Sequence, residues 1–444
     1  MKIPARPPAI DATHDPHTLV TALVGGGVNI ATDPYRPWEE MRWRTAPNGM
    51  APAVWWYVTD LQRRSARRTL PLCQVDGSPF TYNLPDEALK LIETLRSRAG
   101  GSIGMDELVT NPATRNQYLV SSLMEEAITS SQLEGASTTR RVAKDMLRAG
   151  RAPRTKDERM IWNNYQAMEF VRAHHADAIT PDLVRELHAI VTMGTLDDSD
   201  DAGRLQRPGD DRVWIEGNEG EVLHRPPSAE ELPARLAALC AFVNGHAEDG
   251  PWVSPVVRAI LVHFMVGHDH YFVDGNGRLA RTLFYWVMLG RGLWLTEFVT
   301  ISTILKKAPV QYAHAYLNSE YEGDVTYFLL HQLRVLARAF DLLEEHLAAK
   351  TAQVRDVREA LWRSDRTFNH RQVDLLERAV RDPDLLLTVR SHQRSHRVSH
   401  GTARTDLYDL QERGLLERGK IGREFSWRPA PDIASRLGSS DVGG

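Results

Sequence analysis

Apolar residues follow a helical period over much of the chain from about Pro85 onward. In the segment 118–135, YLVSSLMEEAITSSQLEG, they recur at i, i+3, i+4, i+7 and i+8, as on one face of an amphipathic helix. The residues of this face are Val120, Leu123, Met124, Ala127 and Ile128. Gly135 follows as a helix stop, and similar periodicity over 157–175 and 180–194 predicts further helices. The pattern therefore predicts an all-α core.

The helical pattern lapses between Asp197 and Pro226. Within this interval the segment 212–227, RVWIEGNEGEVLHRPP, has two short β-like runs around the turn-forming residues EGNEG. We therefore expect a short β-hairpin inside the helical core.

A polar loop lies between two apolar helical segments. Ser254 followed by Pro255 is typical of a helix start, and the segment 256–267 is apolar nearly all round, which predicts a buried helix. Helical spacing resumes at Leu279. The residues HYFVDGNGRLAR at 270–281 therefore form a loop and the first turn of a second helix, with Gly277 near its start.

Simpler explanations of this loop fit its surroundings poorly. The pairs DG and NG are typical of hairpin turns, but neither flank alternates as a strand does. A calcium-binding loop would need glycine where Leu279 stands. His263, His268 and His270 lack an accompanying set of three or four ligands at metal-binding spacing.

The composition of the loop is instead typical of an anion site at a helix N-terminus. The first turn of a helix presents unpaired N–H groups and a partial positive charge. Arg278 and Arg281 are three residues apart, so we expect them to face the same way, and each opposes the helix dipole unless an anion of greater charge binds. Gly275 and Gly277 allow the backbone to approach phosphate oxygens closely.

Two further residues of the loop carry chemistry. Asp274 can hold Mg²⁺, which takes one or two carboxylates together with phosphate oxygens. His270 is the nearby group whose ordinary pKa lies near neutrality, and it is the natural general base. The loop therefore predicts a site for a nucleotide phosphate, a metal ion and a base.

The segment 270–281 resembles the signature of the Fic (Fido) family, His-x-Phe-x-Asp-Gly-Asn-Gly-Arg-x-x-Arg, at all eight fixed positions. Tyr271 stands where the family usually has proline, and this departure leaves every chemical group in place. The resemblance implies a helical core that transfers AMP from ATP to a hydroxyl group of a target protein or of the protein itself.

The resemblance also implies a role for each residue of the loop. His270 would deprotonate a Ser, Thr or Tyr hydroxyl of the target, Phe272 would pack into the core, and Asp274 would bind Mg²⁺. The phosphates of ATP would be held by Gly275, Asn276, Gly277, Arg278 and Arg281, with the two arginines on the β and γ phosphates.

Two other segments resemble less specific parts of the family. Val213, Trp214 and Ile215 would form a flap that docks an extended segment of the target, although an ordinary surface hairpin is an equal alternative. Tyr312 lies in a region that resembles the family's adenine-contacting segment.

Upstream, SSQLEG at 130–135 resembles the family's inhibitory motif, [Ser/Thr]-x-x-x-Glu-[Gly/Asn], through Ser130, Glu134 and Gly135. Glu134 lies at the C-terminal end of its predicted helix, where a carboxylate opposes the helix dipole. A pair with Arg281 would relieve both unfavourable charges and keep the arginine from the γ-phosphate. The resemblance thus implies the class with an N-terminal inhibitory helix, and a solvated glutamate is the alternative.

The tail after Phe368 has its own pattern. Ser399 can cap a helix that ends at Gly414, with one face formed by Ala403, Leu407 and Leu410. Two short strands around Gly419–Gly422 follow, which gives the element order of a winged helix. Residues 390–428 contain nine Lys/Arg and five Asp/Glu. A basic face toward DNA and a protein-docking or dimerisation module both remain open.

The bulk composition agrees with a globular protein of several domains. The 444 residues are 42% hydrophobic and 25% charged, with a net charge of -4. Cys73 and Cys240 are too few for a disulfide framework. The longest apolar stretches have about half the length of a membrane span, and residues 1–11 lack the apolar core of a secretion signal. We therefore expect a cytoplasmic protein with no membrane partner.

These observations predict an organisation along the chain and a function. The expected parts are a loosely ordered segment 1–50, a helical region 51–176 carrying the inhibitory helix, a Fic core 177–345, a winged-helix-like domain 355–430 and a flexible tail 431–444. The expected function is a protein adenylyltransferase, with ATP as substrate and Mg²⁺ as cofactor, restrained by Glu134. The alternatives are a DNA-binding regulator with a sensory Fic core, and a Fic enzyme that removes AMP or transfers another phosphate-containing group. A homodimer is also open.

Overall fold

The computed structural model of the protein describes residues 3–8, 29, 31–100, 112–210, 212, 215–216, 222–245, 251–363, 368–382, 385–421 and 424–438. The chain divides into two compact units, the first extending to Asp341 and the second beginning at Leu342. Across the described part of the chain, every helix is too short or too polar to cross a lipid bilayer.

The first unit is mainly helical, as predicted. Its helices are α1 (Trp38–Met41), α2 (Pro52–Ala66), α3 (Asp86–Ala99), α4 (Pro112–Leu133), α5 (Arg140–Ala149), α6 (Lys156–His174), α7 (Pro181–Thr192), α8 (Leu232–Asn244), α9 (Pro255–Asp269), α10 (Asn276–Gly290), α11 (Ile301–Lys307), α12 (Pro309–Glu322) and α13 (Thr326–Arg363), the last of which continues into the second unit. Its strands are β1 (Arg68–Cys73), β2 (Pro79–Tyr82), β3 (Ile215–Glu216) and β4 (Val222–His224).

The N-terminal region is more ordered and less uniformly helical than predicted. Within the segment 1–50, expected to be loosely ordered, α1 forms and Met41 is buried. Within the region 51–176, expected to be helical, β1 and β2 pair as an antiparallel hairpin. The alternation of buried Leu70 and Leu72 with exposed neighbours, followed by a turn at Gly77 with φ +83°, explains this hairpin.

Helix α4, the predicted inhibitory helix, packs against α6 and α11. Its predicted apolar face is buried at Leu123, Met124, Ala127 and Ile128, whereas Val120 is 37% exposed and does not belong to that face. The helix ends at Leu133, and Gly135 adopts φ +94°, so the predicted helix stop is confirmed.

The core of the first unit contains α9 and α10, which pack against each other. Helix α9 begins after Ser254 and is buried along nearly its whole length, as predicted. Helix α10 begins at Asn276. The loop between them is therefore held on both sides by buried helices.

The second unit contains α14 (His370–Arg381), α15 (Val389–His396), α16 (His400–Glu412), β5 (Leu416–Ile421), β6 (Glu424–Pro429) and α17 (Ile433–Gly438). Ser399 caps α16 by accepting a hydrogen bond from the Thr402 N–H, as predicted. The face formed by Ala403, Leu407 and Leu410 is fully buried around Trp427.

Two predictions for the second unit are corrected. Gly419 lies inside β5, opposite Ser426, because pairing continues to Ile421 and Glu424. The tail from residue 431 is not uniformly flexible, since Ile433–Gly438 forms α17. This short helix is retained because its apolar side chains are buried in the core of the unit.

Candidate active site

The loop between α9 and α10 begins with a strained residue. His270 follows α9 in the left-handed conformation, with φ +49°, which costs a non-glycine residue about 1–2 kcal/mol. Arg212 holds this turn by donating hydrogen bonds to the carbonyl oxygens of Asp269 (2.9 Å) and His270 (3.0 Å). Strain that the surroundings hold in place is typical of functional sites.

The His270 ring is oriented to act as a base. Its Nδ1 lies 3.4 Å from the carbonyl oxygen of Gly267. Because a carbonyl can only accept, the neutral ring carries its proton on Nδ1 and leaves Nε2 free to accept one. Burial lowers the pKa of His270 to about 4, so the neutral form predominates near pH 7.

His188, which no motif singled out, supports the loop from α7. Its ring stacks on buried Phe272, with ring centroids 3.7 Å apart. Its Nε2 donates to the Asp274 carbonyl oxygen (2.8 Å), and its Nδ1 accepts from the Gly203 N–H (3.0 Å). Burial lowers the pKa of His188 to about 4, which agrees with a neutral ring that donates once and accepts once.

The Asn276 side chain closes the loop on itself. Its Nδ2 donates to the Phe272 carbonyl oxygen (2.7 Å), and its Oδ1 accepts from the Phe272 N–H (3.1 Å). The Asn276 side chain is therefore occupied within the loop. Its backbone N–H, at the start of α10, is the Asn276 group that is left to bind a phosphate oxygen.

Both glycines of the loop stand where a side chain would collide. Gly275 has φ +85°, and a Cβ there would lie 2.6 Å from Cγ2 of Thr192. A Cβ on Gly277 would overlap the carboxylate oxygen Oε1 of Glu134. The Glu134 carboxylate therefore lies directly over the N-terminus of α10.

The two arginines of the motif point to different neighbours, so the expectation that they face the same way is wrong. Fully buried Arg278 donates to the Val191 carbonyl oxygen (3.1 Å) and lies 3.4 Å from Oδ2 of Asp274. Arg281 instead reaches α4. Spacing along a helix gives the direction of a Cα–Cβ bond, but long side chains turn toward whichever acceptors are near.

Arg281 is held by both residues of the upstream motif. It donates from Nε to Oγ of Ser130 (2.8 Å) and from Nη2 to the Ser130 carbonyl oxygen (3.1 Å). Nη2 also pairs with Oε1 of Glu134 at 2.8 Å. Burial by itself lowers the pKa of Arg281, but the combined attraction of Glu134, Tyr312 and Glu126 outweighs this and raises it. The guanidinium is therefore charged and fully engaged with α4 and the residue that follows it.

Asp274 fits a role as a metal ligand. Its side chain is 54% exposed, so a carboxylate oxygen can bind a hydrated cation from solvent. Its Oδ1 accepts a hydrogen bond from the Gly275 N–H at 2.6 Å, which fixes the carboxylate beside the start of α10. Such a single carboxylate suits Mg²⁺, which keeps waters and phosphate oxygens as its other ligands.

One cavity of about 250 Å³ brings several of these groups together. Glu134, His270, Gly277, Arg281 and Tyr312 all line it. The Tyr312 hydroxyl lies 2.7 Å from Nε2 of His263. The volume is slightly below the roughly 300–1,000 Å³ of small-molecule sites, and Glu134 takes up space beside α10.

The predicted hairpin is present next to this cavity. Ile215 pairs with His224 and Glu216 with Val222 in an antiparallel register, and Leu223 lines the cavity. Of the predicted flap residues, Ile215 is in β3, whereas Val213 and Trp214 lie outside the described residues.

The fold and the site together define a helical protein in which a histidine and a helix N-terminus line one cavity. Residues 178–288 match the Fic/DOC family. The crystal structure of a Fic family protein from Desulfovibrio desulfuricans G20 has a similar fold, with a TM-score of 0.51 at 18% sequence identity. The similarity covers 79% of this chain and 98% of that one.

Two curated relatives are similar in sequence. The protein adenylyltransferase Fic of Culex quinquefasciatus is 27% identical over 179 residues, which is 40% of this chain and 32% of the relative. The protein adenylyltransferase Fic of Drosophila mojavensis is 29% identical over 165 residues, which is 37% of this chain and 29% of the relative. The chain thus matches about a third of the length of these relatives.

Proposed function

We propose that the protein is an adenylyltransferase that transfers AMP from ATP to a hydroxyl group of a target protein or of itself. The observation that carries this proposal is that His270, Gly277 at the start of α10, and Arg281 line one cavity, while Nδ1 of His270 is turned to the Gly267 carbonyl oxygen. The adenylyltransferases among its relatives support the same chemistry.

In the proposed reaction, a hydroxyl oxygen of the target attacks the α-phosphorus of ATP. The bond from that phosphorus to the oxygen bridging the α and β phosphates breaks, and pyrophosphate leaves. The hydroxyl proton passes to Nε2 of His270. Bound Mg²⁺, held by Asp274, would neutralise charge on the phosphates. The N–H groups at the start of α10 hold phosphate oxygens, and Arg281 binds the γ-phosphate once Glu134 releases it.

Glu134 restrains this reaction in the proposal. Its carboxylate pairs with the guanidinium that the γ-phosphate needs and covers Gly277, where phosphate would approach. It also lies at the positive end of the α10 dipole. The Glu134 carboxylate therefore occupies the place that a phosphate group of ATP would take in this proposal.

A label placed on different phosphates of ATP tests the reaction type. With Mg²⁺ and the Glu134→Gly variant, label on the α-phosphate should become attached to protein, and label on the γ-phosphate should appear in pyrophosphate alone. Protein-bound γ-label would contradict AMP transfer and indicate phosphoryl transfer. Release of AMP from previously modified protein, with no net attachment, would favour the removal reaction. Asp274→Ala in the same background is the control and should reduce attachment strongly.

We further propose that the second unit binds DNA as a winged-helix domain. Helices α15 and α16 are followed by the β5–β6 hairpin, which is the order expected of a winged helix. Some basic side chains of this unit form ion pairs, whereas others do not. Asp406 pairs with Arg371 (2.7 Å) and Asp409 with Arg413 (2.9 Å). Six exposed basic residues have no carboxylate partner among the residues of this unit that the structure describes: Arg390, Arg394, Arg397, Arg404, Arg418 and Lys420. The unpaired charge on α15, α16 and β5 favours a polyanion.

DNA binding by this surface should depend steeply on salt, because each neutralised phosphate releases counterions. Replacing Arg397 and Arg404 together with alanine should lower the magnitude of the slope of log K against log salt by about 2. Fluorescence anisotropy of a labelled duplex measures this, with the double variant Arg44→Ala/Lys90→Ala, at exposed positions of the first unit, as the matched loss of two charges. Salt-independent binding, or none, would favour a protein-docking module instead.

A further inference from the structure

Three side chains from three separate elements meet beside the cavity. Nδ1 of His224, in β4, lies 2.9 Å from Oε1 of Glu320, in α12. Nδ1 of His268, in α9, lies 2.8 Å from the same oxygen. All three candidate ligand atoms lie within 4.8 Å of one another. His224 is 7% exposed and His268 3% exposed, so this cluster is buried.

The His224 ring is oriented as metal-binding histidines are. Its Nε2 lies 2.7 Å from the carbonyl oxygen of His268. Since that oxygen can only accept, Nε2 carries a proton, and Nδ1 is the ring nitrogen that faces Glu320 and is left to bind a metal ion. A ligating histidine almost always donates its other N–H to a carbonyl or a carboxylate in this way, which fixes the tautomer.

His268 faces the same carboxylate from α9. Its Nδ1 lies toward Glu320, so Nδ1 is the nitrogen available as a ligand. Its Nε2 is buried and has no hydrogen-bond partner among the described residues, so His268 lacks the outer acceptor that orients His224.

The charge of the cluster suits a divalent cation. Glu320 supplies a carboxylate oxygen that both imidazoles face at 2.8–2.9 Å. His224 and Glu320 also line the cavity, so a fourth coordination position would be open to water.

We propose that His224, His268 and Glu320 bind a first-row transition-metal ion, with Zn²⁺ as the best match. Two imidazoles and one carboxylate with an open fourth position form a typical zinc ligand set. Zinc bonds of about 2.0–2.2 Å at tetrahedral angles separate ligand atoms by about 3.3–3.5 Å. The carboxylate would therefore move back by about half an ångström from its present contacts, and ligand atoms that are now up to 4.8 Å apart would move closer together.

Such an ion would tie the hairpin strand β4 to α9 two residues before His270, and to α12. It differs from the Mg²⁺ expected at Asp274, because imidazole nitrogen suits zinc whereas magnesium prefers oxygen ligands. The inference does not rest on AMP transfer. It concerns the contacts that hold β4, α9 and α12 together at the wall of the cavity.

Zn²⁺ binding can be measured on the full-length protein after removal of metals with a chelator. Isothermal titration calorimetry should show one Zn²⁺ per chain, and Co²⁺ in its place should give the visible absorption of a tetrahedral complex. His224→Ala, His268→Ala and Glu320→Gln should each lower the Zn²⁺ affinity at least 100-fold, since each removes a direct ligand, and even outer-shell changes cost about 10–100-fold.

Two controls separate this site from the rest of the molecule. His270→Ala, in the same cavity but outside the cluster, and His400→Ala, exposed in the second unit, should both leave the Zn²⁺ affinity unchanged. Glu320→Gln keeps the size of the side chain, so it serves as the test if a histidine variant fails to fold. Absence of stoichiometric binding by the parent protein, or unchanged affinity in Glu320→Gln, would overturn the proposal.

Discussion

Replacing His270 with alanine should lower AMP transfer by about 10²–10⁴-fold, the usual contribution of a general base. The expected loss follows from the ring orientation, since Nδ1 faces the Gly267 carbonyl and Nε2 is the nitrogen left to take a proton. The rate constant of transfer in the Glu134→Gly background, measured in single-turnover experiments, checks this expectation.

The same substitution should leave folding and nucleotide binding nearly unchanged. His270 makes a single long side-chain hydrogen bond, at 3.4 Å, and Arg212 holds the turn through backbone carbonyls that alanine retains. The melting temperature and the ATP dissociation constant are the controls. His188→Ala is the useful contrast, because it should lower the melting temperature by removing the stack on Phe272. A His270→Ala protein that transfers AMP at the parental rate would exclude this residue as the base.

The features that the sequence predicted correctly are local ones. Helix α9, the start of α10 and the end of α4 just before Gly135 are each encoded by neighbouring residues, as a period of apolar positions and a capping or stopping residue. The Ser399 cap and the buried face of α16 are of the same kind. These patterns predict the structure correctly because they act on backbone conformation within one or two helical turns.

The features that were missed depend on tertiary contacts. Arg278 turns to the Val191 carbonyl 87 residues away, and His188 reaches the Asp274 carbonyl across 86 residues. The cluster of His224, His268 and Glu320 joins elements separated by 44 and 52 residues, so no spacing marks it. The contact between Arg281 and Glu134, which are 147 residues apart, was nevertheless predicted. Each of the two residues lies in a segment that resembles a motif of the same family.

The β1–β2 hairpin is a different case, because a local signal was present. Leu70 and Leu72 alternate with exposed residues, and Asp76–Gly77 is a typical turn pair. The strands are short, and Pro71 interrupts them, which is tolerated because the pairing is irregular between Thr69 and Cys73. A pattern of a few residues is easily outweighed by the helical periodicity of the longer segments around it.

The kcat/KM of AMP transfer should rise at least tenfold when Glu134 is replaced by glycine. A hydrogen bond to a charged group contributes about 1.5–3 kcal/mol, and about 1.4 kcal/mol corresponds to a factor of ten. The carboxylate is partly exposed, at 30%, which places the expected gain toward the lower end of that range. Initial rates of label attachment across a range of ATP concentrations, at fixed Mg²⁺, measure it.

Two ways in which Glu134 can block the site are separable by the choice of substitution. Glu134→Gln keeps the bulk over Gly277 but removes the charge that holds Arg281, so its kcat/KM should lie between those of the parent and Glu134→Gly. Ser130→Ala removes the hydrogen bond to Nε of Arg281 while leaving the carboxylate pair, and it should therefore activate little. Arg281→Ala in the Glu134→Gly background should lose the gain, because in the proposed reaction the released guanidinium binds the γ-phosphate. If Glu134→Gly and the parent protein transfer AMP with the same kcat/KM, the contact between Glu134 and Arg281 is structural, and restraint of the enzyme by this residue is wrong.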